Sequence, residues 1–317
     1  MAHILAIVGS ARRDGYTQQV LSEVLAGAAD GTGAEVETVP LLDYTFGPCH
    51  SCYECIRMPE HRCILADDMG RRGEGDLWRR IERANGLVLA TPVHGWTADA
   101  LIHLFLERLY PFLWSGELKG IPVATLAVAS NQGFQEVANT MLCQWSFTMG
   151  ARWIGGLPVH MAYWADARPE AHDLGRRLAE AALDDAAEGR RALSDREMWH
   201  HYHNSAWPVF PRYLENLTRG SSDGRQSILR RALATGAMQR PEALEHLRQA
   251  DALFEQALSH QRLGQIEAAM DALVQASAQW THATWREFLE EQLIKAPPPK
   301  AYRPLDDGEH AQEGEDA

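Results

Sequence analysis

No stretch of this 317-residue chain comes near the roughly 18 consecutive apolar residues of a membrane-spanning helix, so no membrane partner is expected. Basic charge is also scarce. The chain has 30 Lys and Arg against 43 Asp and Glu, a formal net charge of -13. Nucleic-acid binding draws on clustered cations, so that partner class is excluded, and the acidic surplus favours solubility. The first residues, Met1-Ala-His-Ile-Leu-Ala-Ile-Val-Gly9, carry neither a basic leader segment nor a cleavage site, and a cytoplasmic location is the expectation. No Ser-His-Asp or Cys-His signature stands out, and no turn holds the three glycines of a dinucleotide fingerprint. Cysteine is limited to five residues, yet four of them fall between Cys49 and Cys63. A disulfide framework would spread them along the chain, so metal or redox chemistry is the reading.

The remaining composition, 45% hydrophobic and 23% charged, is that of a globular chain with enough apolar residues for a real core, and its length suits two units. His3 to Val8 reads as a strand, Tyr16 to Ala29 as a helix with Val20, Leu21, Val24 and Leu25 at helical spacing, and Val36 to Val39 as a second strand. A helix over 76–84 leads into the continuously apolar run from Gly86, the pattern of a strand buried on both faces. Helices near 99–112 and 134–149 alternate with strands at 121–129 and 151–157, and a helix over 171–193 closes the series. This alternation predicts an α/β fold with a doubly wound, five-stranded parallel sheet, with ligands beyond the carboxyl ends of its strands. The predicted division is an α/β domain over 1–195, an all-α C-terminal segment over 196–296 with an αα-hairpin that breaks at Leu263-Gly264, and an acidic, disordered tail over 297–317.

Three loops follow strands of this series. Gly9-Ser10-Ala-Arg12-Arg-Asp-Gly15-Tyr16-Thr17 offers hydroxyls, backbone amides and a helix N-terminus to a phosphate; by spacing alone it is equally a turn capped by Thr17. Thr91-Pro92-Val93-His94-Gly95-Trp96 follows the third strand, and Ser130-Asn131-Gln132-Gly133 the fourth. Together they resemble the flavin loops of the NADPH-dependent FMN reductase family, whose fold is flavodoxin-like. The resemblance covers about residues 3 to 185. It implies FMN held by Ser10, Arg12, Gly15, Tyr16, Thr17, Thr91, Pro92, Val93, His94, Trp96, Ser130, Asn131 and Gly133. His94 stands where the family has Tyr, leaving Trp96 to offer an aromatic face, and Gly133 stands where two glycines are common.

Pro48-Cys49-His-Ser-Cys52-Tyr-Glu-Cys55, followed by Cys63-Ile-Leu-Ala-Asp67-Asp68, resembles the compact cysteine motif of the iron-sulfur flavoprotein branch of that family. There such a loop holds a four-iron four-sulfur cluster. Three readings stay open for Cys49, Cys52, Cys55 and Cys63: a cluster, thiols without metal, and zinc. Asp67 and Asp68 read as tying down this loop or capping the next helix, Cys143 as a buried small hydrophobe, and His200, His201 and His203 as a weak metal signal. The resemblance implies an oxidoreductase that takes electrons from NAD(P)H, or from a ferredoxin if a cluster is present, and passes them to a small-molecule acceptor, as a homodimer or homotetramer. The alternative is a non-catalytic electron carrier that docks a partner through its helical segment.

Overall fold

The computed structural model describes residues 2–218 and 227–289. They form two compact units: Met1–Ser194 with Asn204–Trp207, and Asp195–His203 with the described residues from Pro208 onward. The acidic segment 297–317 lies outside the described residues.

The first unit runs β1 (His3–Val8), α1 (Tyr16–Ala29), β2 (Glu35–Pro40), α2 (Glu54–Arg57), α3 (Asp76–Arg83), β3 (Gly86–His94), β4 (Thr97–Ala98), α4 (Ala100–Arg108), α5 (Tyr110–Ser115), β5 (Pro122–Ala129), α6 (Gln135–Thr148), β6 (Arg152–His160) and α7 (Trp164–Glu188). Five strands pair in parallel in the order β2-β1-β3-β5-β6. That order is the flavodoxin-like form of the doubly wound sheet. A sixth strand, absent from the sequence reading, is the short β4, antiparallel to the end of β3. It exists because Gly95 (φ 56°) and Trp96 (φ 67°) both take left-handed conformations, which closes a two-residue hairpin turn of type I′ geometry.

Both sheet faces are covered. Leu5, Ile7, Leu87 and Leu89 point into one core layer with Trp78 of α3, Phe105 of α4, Phe112 of α5 and Leu142 of α6. Ile4, Ala6, Val88 and Leu126 point into the other, with Val20 and Leu21 of α1 and Leu174 and Leu178 of α7. The period-two alternation within uniformly apolar strands is what two covered faces require. The helix expected over 99–112 is two helices, because Pro111 in the first turn of α5 has no N–H with which to continue α4. The last helix of this unit starts at Trp164 and stops at Gly189 (φ 95°), earlier at both ends than its composition suggested.

Glycine sets the approach of α1 to α7. A Cβ on Gly27 would meet the His172 carbonyl oxygen at 1.9 Å, and one on Gly175 would meet the Val24 carbonyl oxygen at 1.8 Å. Neither obstacle is a flexible side chain, so the helices must separate to admit even a methyl group. Gly175→Ala is therefore expected to cost about 3 kcal/mol, the upper end of ordinary overpacking. Urea unfolding tests this, and a midpoint equal to that of the unmodified protein would refute the close-packing account.

The second unit is helical: α8 (Asp195–His201), α9 (Val209–Thr218), α10 (Ile228–Thr235), α11 (Pro241–Arg262) and α12 (Ile266–Thr284). The last two form the expected hairpin about Gly264 (φ 72°), burying Leu247, Phe254 and Ala257 of α11 and Ala269, Leu273 and Ala276 of α12. The Glu287 carboxylate accepts hydrogen bonds from the Gln239 and Arg240 amides, both at 2.9 Å, just before α11. Among the described residues no helix is long and apolar enough to cross a membrane.

Candidate functional site

Of the three segments singled out in the sequence, the first and third follow β1 and β5, the second is the end of β3 with the turn after it, and they converge on one cleft of about 800 Å³. Its lining includes Ser10, Arg12, Gly15, Tyr16 and Thr17 from the first loop, Pro92, Val93, His94 and Trp96 from the second, and Ser130, Asn131 and Gly133 from the third. Such a volume is typical of a cofactor site.

In the first loop Gly15, not Thr17, is the N-cap of α1, and no side chain caps that helix end. The amides of its first turn therefore lie open at the cleft, where the partial positive charge of a helix N-terminus favours an anion. Thr17 is buried within that turn, while Arg12 and Tyr16 are exposed. The Arg12 amide donates to Ser10 Oγ at 3.2 Å, which curls the loop.

Thr91 does not line the cleft. It is fully buried, and its hydroxyl donates to Asp99 Oδ2 at 2.6 Å and accepts from the Asp99 amide at 3.0 Å. Asp99 in turn caps α4, Oδ1 accepting from the Leu101 amide at 2.8 Å and the Ile102 amide at 3.2 Å. Thr91 thus fixes the wall behind the cleft and contributes no surface to it.

One aromatic ring, Trp96, borders the cleft, and a second, Phe134, backs it. Trp96 stacks on Phe134 with centroids 4.8 Å apart and planes 11° from parallel, and Trp96 Nε1 donates to Gln132 Oε1 at 3.1 Å. Both rings are exposed, 59% and 42%, and both residues hold positive φ, a conformation that costs a non-glycine residue energy and recurs at ligand clamps. Phe134 and Gln132 were not among the residues the sequence singled out. In sequence, Phe134 reads only as the start of α6. Beside the third loop, the Asn131 carbonyl accepts from His160 Nε2 (3.0 Å) while His160 Nδ1 accepts from the Ala162 amide (3.1 Å), which fixes the Nε2–H tautomer.

All four clustered cysteines line a second cavity, of about 240 Å³, with His50, Tyr53, Arg108, Tyr110 and Trp145 among its other walls. Left-handed Ser51 (φ 49°) and Tyr53 (φ 59°) curl the backbone so that thiols three residues apart face inward together. The Ser51 amide donates to Cys49 Sγ at 3.4 Å. No cysteine is in a disulfide. Burial, followed by the closeness of Cys63, Cys49 and Cys52, pushes the Cys55 thiol up to about 12, so this thiol stays protonated at neutral pH unless a cation joins it.

Among the described residues no set of three or more His, Cys, Asp or Glu side chains is arranged to hold a metal ion. That covers His200, His201 and His203 of the second unit as well, where His200 Nε2 lies 3.9 Å from Asp271 Oδ1. All four cysteines border the same cavity. A zinc centre would bring them to about 2.3 Å from one nucleus, whereas a cluster needs room between its ligands.

Asp67 and Asp68 tie down the cysteine loop. The Thr45 amide donates to Asp68 Oδ2 at 2.7 Å. Asp67 takes a two-pronged contact from Arg108, at 2.6 and 2.9 Å. Burial would raise the Asp67 carboxyl, but the Arg108 hydrogen bonds and charge outweigh it and hold the group below the usual carboxylate range. Cys143 is buried in α6, where desolvation raises its thiol.

A family model described as NADPH-dependent FMN reductase matches residues 2–166. Two curated relatives are iron-sulfur flavoproteins of Archaeoglobus fulgidus. One is 27% identical over 181 residues, 56% of this chain and 79% of its own length. The other is 31% identical over 105 residues, 33% of this chain and 49% of its own length. A solved flavone reductase is similar over 61% of this chain and 66% of its own, at 21% identity and a TM-score of 0.44.

Proposed function

Because the chain belongs to the NADPH-dependent FMN reductase family, we propose that it is an FMN-dependent oxidoreductase that binds FMN in the three-loop cleft and a four-iron four-sulfur cluster in the cysteine cavity. The observation that carries this reading is the meeting of three separate segments, the loops after β1 and β5 and the carboxyl end of β3 with its turn, around one cleft with an uncapped helix N-terminus on its wall.

The residues fit FMN. Ser10 and the first amides of α1 are placed to take a terminal phosphate, and Arg12 is positioned to add charge at the rim. Pro92, Val93 and His94 on one side and Ser130, Asn131 and Gly133 on the other provide walls for a flat ring system. Trp96 borders the cleft and offers an aromatic face, with Phe134 stacked behind it. FMN, when bound, supplies the electron-transfer chemistry, and the protein supplies its position and surroundings. The donor is NAD(P)H or a ferredoxin, the acceptor a small molecule, and the assembly a homo-oligomer.

The residues also fit a cluster. Four thiols share one cavity, and burial, followed by the closeness of the other three sulfurs, keeps that of Cys55 protonated unless a cationic group is present. The relatives' name, iron-sulfur flavoprotein, supports the same assignment.

Anaerobic purification followed by an absorption spectrum, with iron and acid-labile sulfide assayed against protein, tests both halves. Flavin bands with a broad visible shoulder and about four irons per chain are expected. Flavin without iron would remove the cluster from the reading, and a colourless protein that takes up no FMN would remove the whole of it. Ser10→Ala tests the phosphate loop. The loss of a hydrogen bond to a charged group, about 1.5 kcal/mol or more, weakens FMN roughly tenfold in a fluorescence titration of the apoprotein. Riboflavin, which lacks the phosphate, should bind the variant and the unmodified protein equally; equal losses for both ligands would contradict this placement.

A further inference from the structure

Arg108 ends α4 inside the cysteine cavity, where 2% of it is exposed, and the proposed function gives it no task. Its Nη1 donates to the Gly47 carbonyl at 2.7 Å and to Asp67 Oδ2 at 2.6 Å. Its Nη2 donates to Asp67 Oδ1 at 2.9 Å and to Cys63 Sγ at 3.3 Å. The fork onto Asp67 and the bond to Gly47 would already anchor the loop. The contact with Cys63 is additional, and it brings a permanent cation against one of the four sulfurs.

We propose that Arg108 sets the reduction potential of the metal centre held by the four cysteines, through its hydrogen bond to Cys63 Sγ, with Asp67 as the counterweight that limits the effect. This rests on the cluster reading above. A cluster on four thiolates gains negative charge when it takes up an electron, and a nearby fixed cation favours that reduced form. Hydrogen bonds to the ligand sulfurs, net charge and solvent exposure are what tune such centres. A desolvated guanidinium acts more strongly than an exposed one because the surrounding dielectric is low. The Asp67 carboxylate shares Arg108 Nη2 with Cys63 and partly neutralises the guanidinium, so it weakens the cation's pull on the sulfur. The Ser51 amide contributes a weaker bond of the same kind at Cys49.

The geometry therefore demands shifts of opposite sign. Arg108→Met removes the cation and leaves the reduced cluster less favoured. Asp67→Asn keeps the side-chain shape and an acceptor for Arg108 but removes the opposing charge, leaving the reduced cluster more favoured. A purely structural role for either residue gives no reason for opposite signs.

The test is a one-electron redox titration of the purified anaerobic holoprotein, with dithionite as reductant through mediator dyes and the cluster followed by its visible absorbance and by electron paramagnetic resonance. At a fixed ambient potential, Arg108→Met should lower the reduced-to-oxidised ratio at least tenfold, about 59 mV for a one-electron couple, and Asp67→Asn should raise it. If Arg108→Met fails to assemble a cluster, Asp67→Asn and Arg108→Lys carry the test, with Lys, which lacks the fork, expected to lower the ratio. Absence of iron from the unmodified protein would overturn both the cluster reading and this inference. Full iron content with ratios unmoved, or moved in the same direction by both substitutions, would overturn the inference alone.

Discussion

Replacing Gly9 with alanine should destabilise the first unit by about 2–4 kcal/mol and abolish FMN binding, a large effect for one methyl group. A Cβ at this position would lie 2.1 Å from Asp99 Oδ2 and 2.8 Å from its Cγ. The backbone at Gly9 has little freedom to retreat, since its amide donates to the Ala90 carbonyl at 2.9 Å. Asp99 must then give way. Moving it strips α4 of its N-cap, worth about 1 kcal/mol, and breaks the buried pairing of Asp99 with Thr91, which adds about 1–3 kcal/mol although the Thr91 hydroxyl keeps the Pro92 carbonyl within 2.9 Å. Gly9 also leads directly into the phosphate-facing loop, so its displacement reaches the cleft. Urea unfolding of the apoprotein and an FMN titration measure the two effects. Stability within 1 kcal/mol of the unmodified protein would show that Asp99 relocates freely.

Asp67→Ala carries the second large expectation, a loss of about 3–5 kcal/mol, because it leaves the buried Arg108 guanidinium without its countercharge. Burial works against that guanidinium, and the hydrogen bonds to Asp67, with Cys63 alongside, are what hold its pKa above the ordinary value. The pH dependence follows from the depressed Asp67 carboxyl. Its contribution is fully present above the unfolded-state value, about 3.9, and is lost as pH falls through the lower folded value. The unmodified protein should therefore lose stability more steeply than Asp67→Ala as the solution is acidified through that range. Parallel acid limbs would sink the assignment, as would an alanine variant of unchanged stability.

Much of the architecture was legible in the sequence because its signals are local. Apolar runs such as Gly86 to Ala90, alternating with helices, announce a parallel sheet, and its carboxyl ends point to the loops that carry a ligand. Loop residues from Ser10 to Gly133, Thr91 excepted, line one cleft. What stayed hidden depends on pairings distant in sequence or on backbone conformation. Arg108 looks like a solvent-facing charge at the end of an amphipathic helix, and its partner Asp67 lies 41 positions away. Thr91 sits in a motif that suggests ligand contact, yet its hydroxyl is turned inward by Asp99. The stacking of Phe134 on Trp96 depends on a left-handed conformation that its residue type disfavours. Pro111 marks the break between α4 and α5, but apolar periodicity on both sides reads straight through it.

The helix α4 is pinned at both ends. Asp99 locks its start to the wall of the cleft, and Arg108 locks its end into the cysteine cavity, across nine residues or about 13 Å. Mechanically it is a stiff connecting rod between two bearings. A rod of this kind does not stretch, so the wall behind the cleft and the Arg108 contact with Cys63 are held at a fixed separation.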